Sequence, residues 1–199
     1  PKSNPESPLL GPSTVAAAAK SHGWSARVLD WNIEFFHHLK AEGLTAEDWI
    51  RLDREFRNEE NLRRILQRPS VSRLVETWID QVRQLNPRYV GFTAFSESNV
   101  LMIAYLAARI RRERPDIRII LGGPASYFCG KNFLENRTVD YVVIGYGEAV
   151  IDGILEGSVA NGYHVVHSSA VNEGSLRFCQ PDYSDLDLSV YTGQTLHVS

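Results

Sequence analysis

Three short clusters carry the residue types best able to hold a ligand: Ser96-Glu97-Ser98, Gly122-Gly123-Pro124-Ala125-Ser126 and Gly145-Tyr146-Gly147-Glu148. Glycine lets the backbone approach a large ligand and leaves N–H groups free as donors, while serine at a helix start can cap or donate outward. Singly, each cluster has a purely structural reading: Gly122 and Gly123 make a tight turn, and Ser98 caps the following helix. Each nevertheless follows an apolar run, and three such loops at successive strand ends point to a shared binding edge. Catalytic constellations are missing from the chain. His22, His37, His38, His164, His167 and His197 show no metal-ligand spacing with a carboxylate or cysteine partner, and His37-His38 reads as exposed surface at a helix start. There is no Gly-x-Ser-x-Gly elbow, no phosphate-binding Walker loop and no Gly-x-Gly-x-x-Gly opening a helix. No catalytic residue and no metal ligand is therefore assigned; the chemistry on offer is binding.

The elements that would position these loops are legible as alternating patterns. Four apolar runs, Ala26–Asn32, Tyr89–Phe95, Ile117–Leu121 and Tyr141–Ile144, read as strands, the last three continuous enough for burial on both faces. Helical patterns separate them: Pro12–His22, closed by Gly23; Asn99–Arg114, ended by Pro115; and Glu148–Glu156, closed by Gly157. Strands alternating with helices predict an α/β fold built on a doubly wound parallel sheet. In such a sheet ligands bind outside the carboxyl ends of the strands, where all three clusters lie.

One crossover is too long. Residues 46–86 hold eight arginines and eight acids behind a helix start at Thr45-Ala46-Glu47-Asp48, and read as two or three helices broken near Pro69-Ser70. This helical insertion is either a solvated addition or a cap over the ligand crevice, with Trp49, Ile50, Phe56, Leu62, Ile65 and Trp78 facing inward. After Gly157, Tyr163–Ser168 and Ser175–Phe178 flank a polar turn at Asn172–Gly174, the pattern of a C-terminal β-hairpin. The acidic tail Pro181–Tyr191 reads as a connector. Residues 1–157 thus form the binding domain, and 158–199 the hairpin and linker.

Composition closes off other classes. The chain has 199 residues, 43% of them apolar, and a formal charge of −3, which excludes nucleic-acid binding by bulk electrostatics. No apolar stretch is long enough to span a bilayer and the first residues lack a signal-peptide pattern, so the protein is read as cytoplasmic. Cys129 and Cys179 fit no Cys-x-x-Cys pattern and read as ordinary thiols.

With the loops in view, the chain resembles the cobalamin (B12)-binding N-terminal domain of class B radical S-adenosylmethionine enzymes. The resemblance rests on Pro8-Leu9-Leu10-Gly11-Pro12, Val28–Glu34, Val90–Phe95, Pro115–Pro124 and Val139–Glu148, with Leu121-Gly122-Gly123-Pro124 and Asp140–Glu148 the most specific parts. It implies a flavodoxin-like, Rossmann-like cobalamin-binding fold. It also implies cofactor contacts at Pro8, Leu9, Leu10, Ser96, Glu97, Ser98, Gly122, Gly123, Pro124, Ser126, Gly145, Tyr146, Gly147 and Glu148. The wider fold supplies a histidine to cobalt from the loop after its first strand. Here residues 1–11 contain none, so the resemblance implies base-off binding without a histidine ligand. It places a further strand, central in a 2-1-3-4-5 sheet, ahead of Pro1. Beyond Ser199 it places a radical S-adenosylmethionine barrel, whose cysteine triad would hold a four-iron four-sulfur cluster and whose cosubstrate is S-adenosylmethionine. The parent enzyme it implies transfers a methyl group to an unreactive carbon or phosphorus, or rearranges a ring, on a small-molecule or peptide substrate. This stretch would bind and not catalyse.

Two rival readings differ in class. A domain of the same fold without cobalamin would serve as a substrate or partner docking module, and cofactor retention separates it from the first. A response-regulator-like domain would want an acidic cluster and a phosphoacceptor aspartate at the strand ends, where serine and glycine stand instead.

Overall fold

The structure is a computed structural model, which describes residues 7–166 and 179–193. Its centre is a four-stranded, all-parallel sheet in the order β1 (Tyr89–Thr93), β2 (Arg118–Gly122), β3 (Tyr141–Gly145), β4 (Gly162–Val166). Around it lie α1 (Leu10–Ser21), α2 (Trp31–Ala41), α3 (Ala46–Glu55), α4 (Glu59–Leu66), α5 (Pro69–Leu85), α6 (Glu97–Glu113), α7 (Ser126–Glu135) and α8 (Ile151–Glu156). Short 3-10 turns occupy Gly147–Ala149 and Leu188–Val190.

Alternation along the strands divides the core into two. Ile119, Leu121 and Val142 belong to the larger cluster with residues of α2 to α7, whereas Ile120, Tyr141 and Val143 pack with Ala18 and Ala19 of α1 and Ile151, Ile154 and Leu155 of α8. Helices on both faces make the sheet doubly wound, the expected fold class. They also explain why β2 and β3 read as unbroken apolar runs: neither face meets water.

The predicted strand at Ala26–Asn32 is not formed. Residues 24–30 form neither strand nor helix, and a helix starts at Trp31 instead. Asp30 causes the switch, because its buried carboxylate accepts from the backbone N–H of Asn32 and of Ile33, both at 3.1 Å, and so caps α2. Trp24 packs in the cluster that includes Tyr89, and the Trp31 ring lies 6.3 Å from Phe92. The chain at Trp31 therefore lies beside β1 without pairing to it, and β1 is an edge strand among the described residues. The pair His37-His38 stands in the second half of α2 rather than at a helix start, and both rings are half-buried.

The insertion is three helices. Thr45 and Asp48 form a capping box on α3, Asn58 caps α4, and Pro69 opens α5, which ends at Asn86 in a left-handed conformation (φ 46°). Trp49, Phe56, Leu62, Ile65 and Trp78 face inward as expected, but Ile50 is exposed. These side chains join the main core with Phe35, Val75 and Ile79, so the insertion is packed into the domain and is not a solvated addition. Its apolar stripe recurs at helical spacing, Val71, Val75, Trp78, Ile79 and Val82 in α5, and a buried stripe of that kind stabilises only against a partner.

The stretch from Tyr163 belongs to the main sheet. Gly162–Val166 pairs parallel with Tyr141–Gly145 as β4. The turn Asn172–Gly174 and the returning arm Ser175–Phe178 of the expected hairpin lie outside the described residues. The tail beyond them is docked on α1 and α2. Lys20 Nζ lies 2.6 Å from Asp182 and 3.1 Å from Asp185, the Val28 N–H donates to Asp185 at 3.1 Å, and the Tyr191 hydroxyl donates to Asp30 at 2.9 Å. No described helix is long and apolar enough to cross a membrane.

Candidate functional site

Parallel strands bring their carboxyl ends to one edge, and that edge gathers the three predicted loops. Thr93 pairs with Gly122, so the loops after β1 and β2 start level with one another. They are then locked together: the Ala94 N–H donates to Gly122 O at 2.8 Å and the Ala125 N–H donates to Ala94 O at 2.8 Å. The loop after β3 joins through Ser126, whose hydroxyl lies 2.5 Å from Gly123 O and 3.1 Å from Val143 O.

The individual residues divide into those that build the edge and those that face outward from it. Ser126 and Ser98 are fully buried. Ser126 ties β2 to β3, and the Ser98 hydroxyl sits 2.7 Å from that of Ser96. Ser96 caps α6 with Asn99, donating from both its N–H (3.1 Å) and its hydroxyl (2.9 Å) to the Asn99 side-chain oxygen. The serines thus hold the loop. Glu97 is exposed and pairs with Arg57 at 2.9 Å, which brings the corner between α3 and α4 to the rim of this edge.

The two adjacent glycines do different work. Gly123 has φ +94°, and a Cβ there would lie 2.8 Å from Ala94 O and 3.0 Å from Ala94 N, so the turn itself requires glycine. Gly122 has an ordinary φ and open space: the nearest atom to a Cβ is Val143 O at 4.0 Å. Gly145 (φ +92°) is exposed, Pro124 is exposed, and Tyr146 opens the 3-10 turn that contains Gly147 and the half-buried Glu148. Bare backbone at Gly122 and Gly145 is what a large flat ligand needs for close approach.

Pro8, Leu9 and Leu10 lie at the start of α1, with Pro8 buried and Leu9 at the cap position. The helix they open reaches the third loop, because a Cβ on Gly147 would meet Val15 Cγ2 at 3.0 Å. Two residues earlier, Ser13 is fully buried.

The described histidines are engaged elsewhere. His22 sits beside Ala18 O (2.9 Å), His37 beside Val190 O (2.6 Å), His38 beside Glu42 (3.5 Å) and His164 beside Ala160 O (2.8 Å). His167 and His197 lie outside the described residues. Among the described residues no group of three or more His, Cys, Asp or Glu side chains is placed to hold a metal ion. Both cysteines are free and half-buried, and burial pushes the Cys129 thiol up from its usual value.

Sequence reading named Tyr146 but missed three other exposed aromatic side chains, Phe95 directly after β1 and Tyr127 and Phe128 in the first turn of α7. It also missed the acidic residue that governs the opposite end of the sheet, Asp140. Burial alone would raise its carboxyl, but Arg111 (2.6 Å), the Ile119 N–H (2.7 Å) and Arg118 (3.0 Å) together hold it below the ordinary carboxylate range.

Against known proteins, residues 59–155 match the B12 binding domain family. The matched stretch runs from α4 to α8 and contains all three strand-end loops, which supports cobalamin binding. No curated protein and no solved structure matches.

Proposed function

We propose that the chain binds cobalamin across the carboxyl edge of its sheet, with the cofactor base-off and no histidine on cobalt. The observation that carries this reading is the bare backbone at Gly122 and Gly145, set level at one edge by Ser126 and the Ala94 hydrogen bonds, inside the matched residues. The residues fit the group: Gly122 has room for an approaching ligand, and Gly123 is spent on the turn that presents it. The base-off form is supported by residues 1–11, which hold no histidine, and by the hydrogen-bond or ion-pair partners found for all four described histidines.

When bound, cobalamin supplies a carrier for methyl groups. The protein positions it: Gly122 and Gly145 leave room for close approach, and the buried serines keep the loops from moving apart. The tail is held on α1 and α2 by Asp182, Asp185 and Tyr191, and such a fixed stretch suits a connection to a further unit. We propose that this unit is a radical S-adenosylmethionine barrel with a four-iron four-sulfur cluster, and that the whole enzyme is a methyltransferase acting on a small molecule or peptide. The resemblance described above supports this larger reading.

The test is reconstitution with hydroxocobalamin followed by gel filtration. A retained corrin absorption band is expected, and G122V should lose it while keeping the near-ultraviolet circular dichroism of the wild type. A wild-type protein that elutes colourless overturns the cobalamin reading and leaves the docking-module alternative.

A further inference from the structure

Beside the bare glycines, the same edge carries four large aromatic side chains turned to solvent. Phe95 is 53% exposed, Tyr127 65%, Phe128 78% and Tyr146 40%: the first follows β1, the next two lie in the first turn of α7, and the last follows β3. Large aromatic side chains held exposed on a rigid support at one sheet edge mark a binding surface. Rigidity here is structural. Ser126, next in sequence to Tyr127, is fully buried and bound to the carbonyls of Gly123 and Val143, and the Ala125 N–H is bound to Ala94 O. The first turn of α7 is therefore fixed from behind at β1, β2 and β3, while Tyr127 and Phe128 stand out from it, their rings 5.2 Å apart at 86°. Phe95 follows Ala94 directly, so it leaves the same tied point.

We propose that Phe95, Tyr127, Phe128 and Tyr146 form an aromatic rim that holds the corrin ring itself, a reading that rests on the cobalamin proposal above. The chemistry of the four side chains suits that ligand. A corrin is a flat ring with apolar faces and methyl groups, fringed by carboxamides. Two phenyl rings offer apolar contact, and the hydroxyls of Tyr127 and Tyr146, which have no hydrogen-bond partner among the described residues, can pair with amides. The glycine loops leave room for approach; the rim supplies the area that glycine cannot.

The rim should therefore recognise the ring independently of the nucleotide tail. The probes are hydroxocobalamin and cobinamide, a corrin that lacks the nucleotide, with affinities read from absorption titrations. Wild type should bind both. The double variant Y127S/F128S should weaken both by the same factor, about tenfold or more as expected for loss of aromatic anchors. Y146S should weaken both in the same direction, and I50S, which removes an exposed apolar side chain from α3 (55% exposed), should change neither. All four targeted positions are at the surface, and unchanged urea midpoints would show that the variants fold. Binding of both probes by Y127S/F128S as tightly as by wild type overturns the rim, as does a wild type that retains hydroxocobalamin but ignores cobinamide. A wild type that retains neither overturns the cobalamin reading on which the rim rests, a distinguishable failure.

Discussion

Replacing Gly122 and Gly123 one at a time by alanine separates a position held by the fold from one left open to a ligand. In G123A the new Cβ must sit at φ +94°, 2.8 Å from Ala94 O, 3.0 Å from Ala94 N and 3.0 Å from Thr93 Cγ2. Thr93 can turn aside, but Ala94 O accepts the Ala125 N–H and Ala94 N donates to Gly122 O, so the backbone is fixed. Left-handed backbone costs an alanine about 1–2 kcal/mol, and displacing a packed neighbour about 1–3 kcal/mol more. The expected loss is roughly 2–5 kcal/mol, or about 4–20 °C in Tm at the usual slope for a chain of this size. In G122A the nearest atom to the Cβ is 4.0 Å away and φ is ordinary, so stability should stay within about 0.5 kcal/mol of wild type. Urea denaturation followed by circular dichroism, with m values compared, reads both. Equal destabilisation by the two variants, or a G123A midpoint unchanged from wild type, would refute the assignment of Gly123 to the turn and Gly122 to the ligand.

Two further outcomes test the ends of the molecule. D140N should destabilise by about 1–3 kcal/mol at neutral pH, since Arg111 and Arg118 lose their shared anion. Because the folded carboxyl stands below its ordinary value, this stabilisation is complete above the carboxylate range and is lost as pH falls through the folded value. Urea midpoints of wild type and D140N should therefore converge in acid, and a constant gap from pH 7 to pH 3 would count against the ion pair. Y191F removes the donor to the buried Asp30 carboxylate, leaving it the two N–H groups of Asn32 and Ile33, and should cost about 1–2 kcal/mol. Limited proteolysis should then cut near residues 179–193 sooner than in wild type; an unchanged cleavage rate would show that this hydrogen bond does not hold the tail.

The parallel sheet was legible wherever burial is two-sided. Ile117–Leu121 and Tyr141–Ile144 stand between helices on both faces, so their continuous apolar runs had one reading. Ala26–Asn32 misled because Val28 and Leu29 look like strand residues, while the decisive atoms belong to Asp30, whose carboxylate satisfies two helix N–H groups just as the apolar run ends. Tyr163–Val166 is legible as strand, but its parallel pairing with Tyr141–Gly145 is not, because alternation marks a strand without saying which neighbour it pairs with. For the site, the three loops were visible as glycine and serine after apolar runs. Their division of labour was not. Gly122 and Gly123 are identical in sequence terms, and only the distance to Ala94 distinguishes them.

What the sequence determined by itself was the class of the protein: an alternating α/β chain, weakly acidic, without catalytic or metal-ligand spacing, with small residues at successive strand ends. These follow from composition and local period, which tertiary contacts do not alter. The tertiary structure decided which of these residues turn inward and which turn outward at that edge. Ser98 and Ser126 turned inward because loops at a sheet edge need internal hydrogen bonds to stay level, and Tyr127 and Phe128 turned outward because the start of α7 is tied down behind them. Side-chain direction at a loop depends on hydrogen bonds made by residues far apart in the chain, and no pattern along the chain records it.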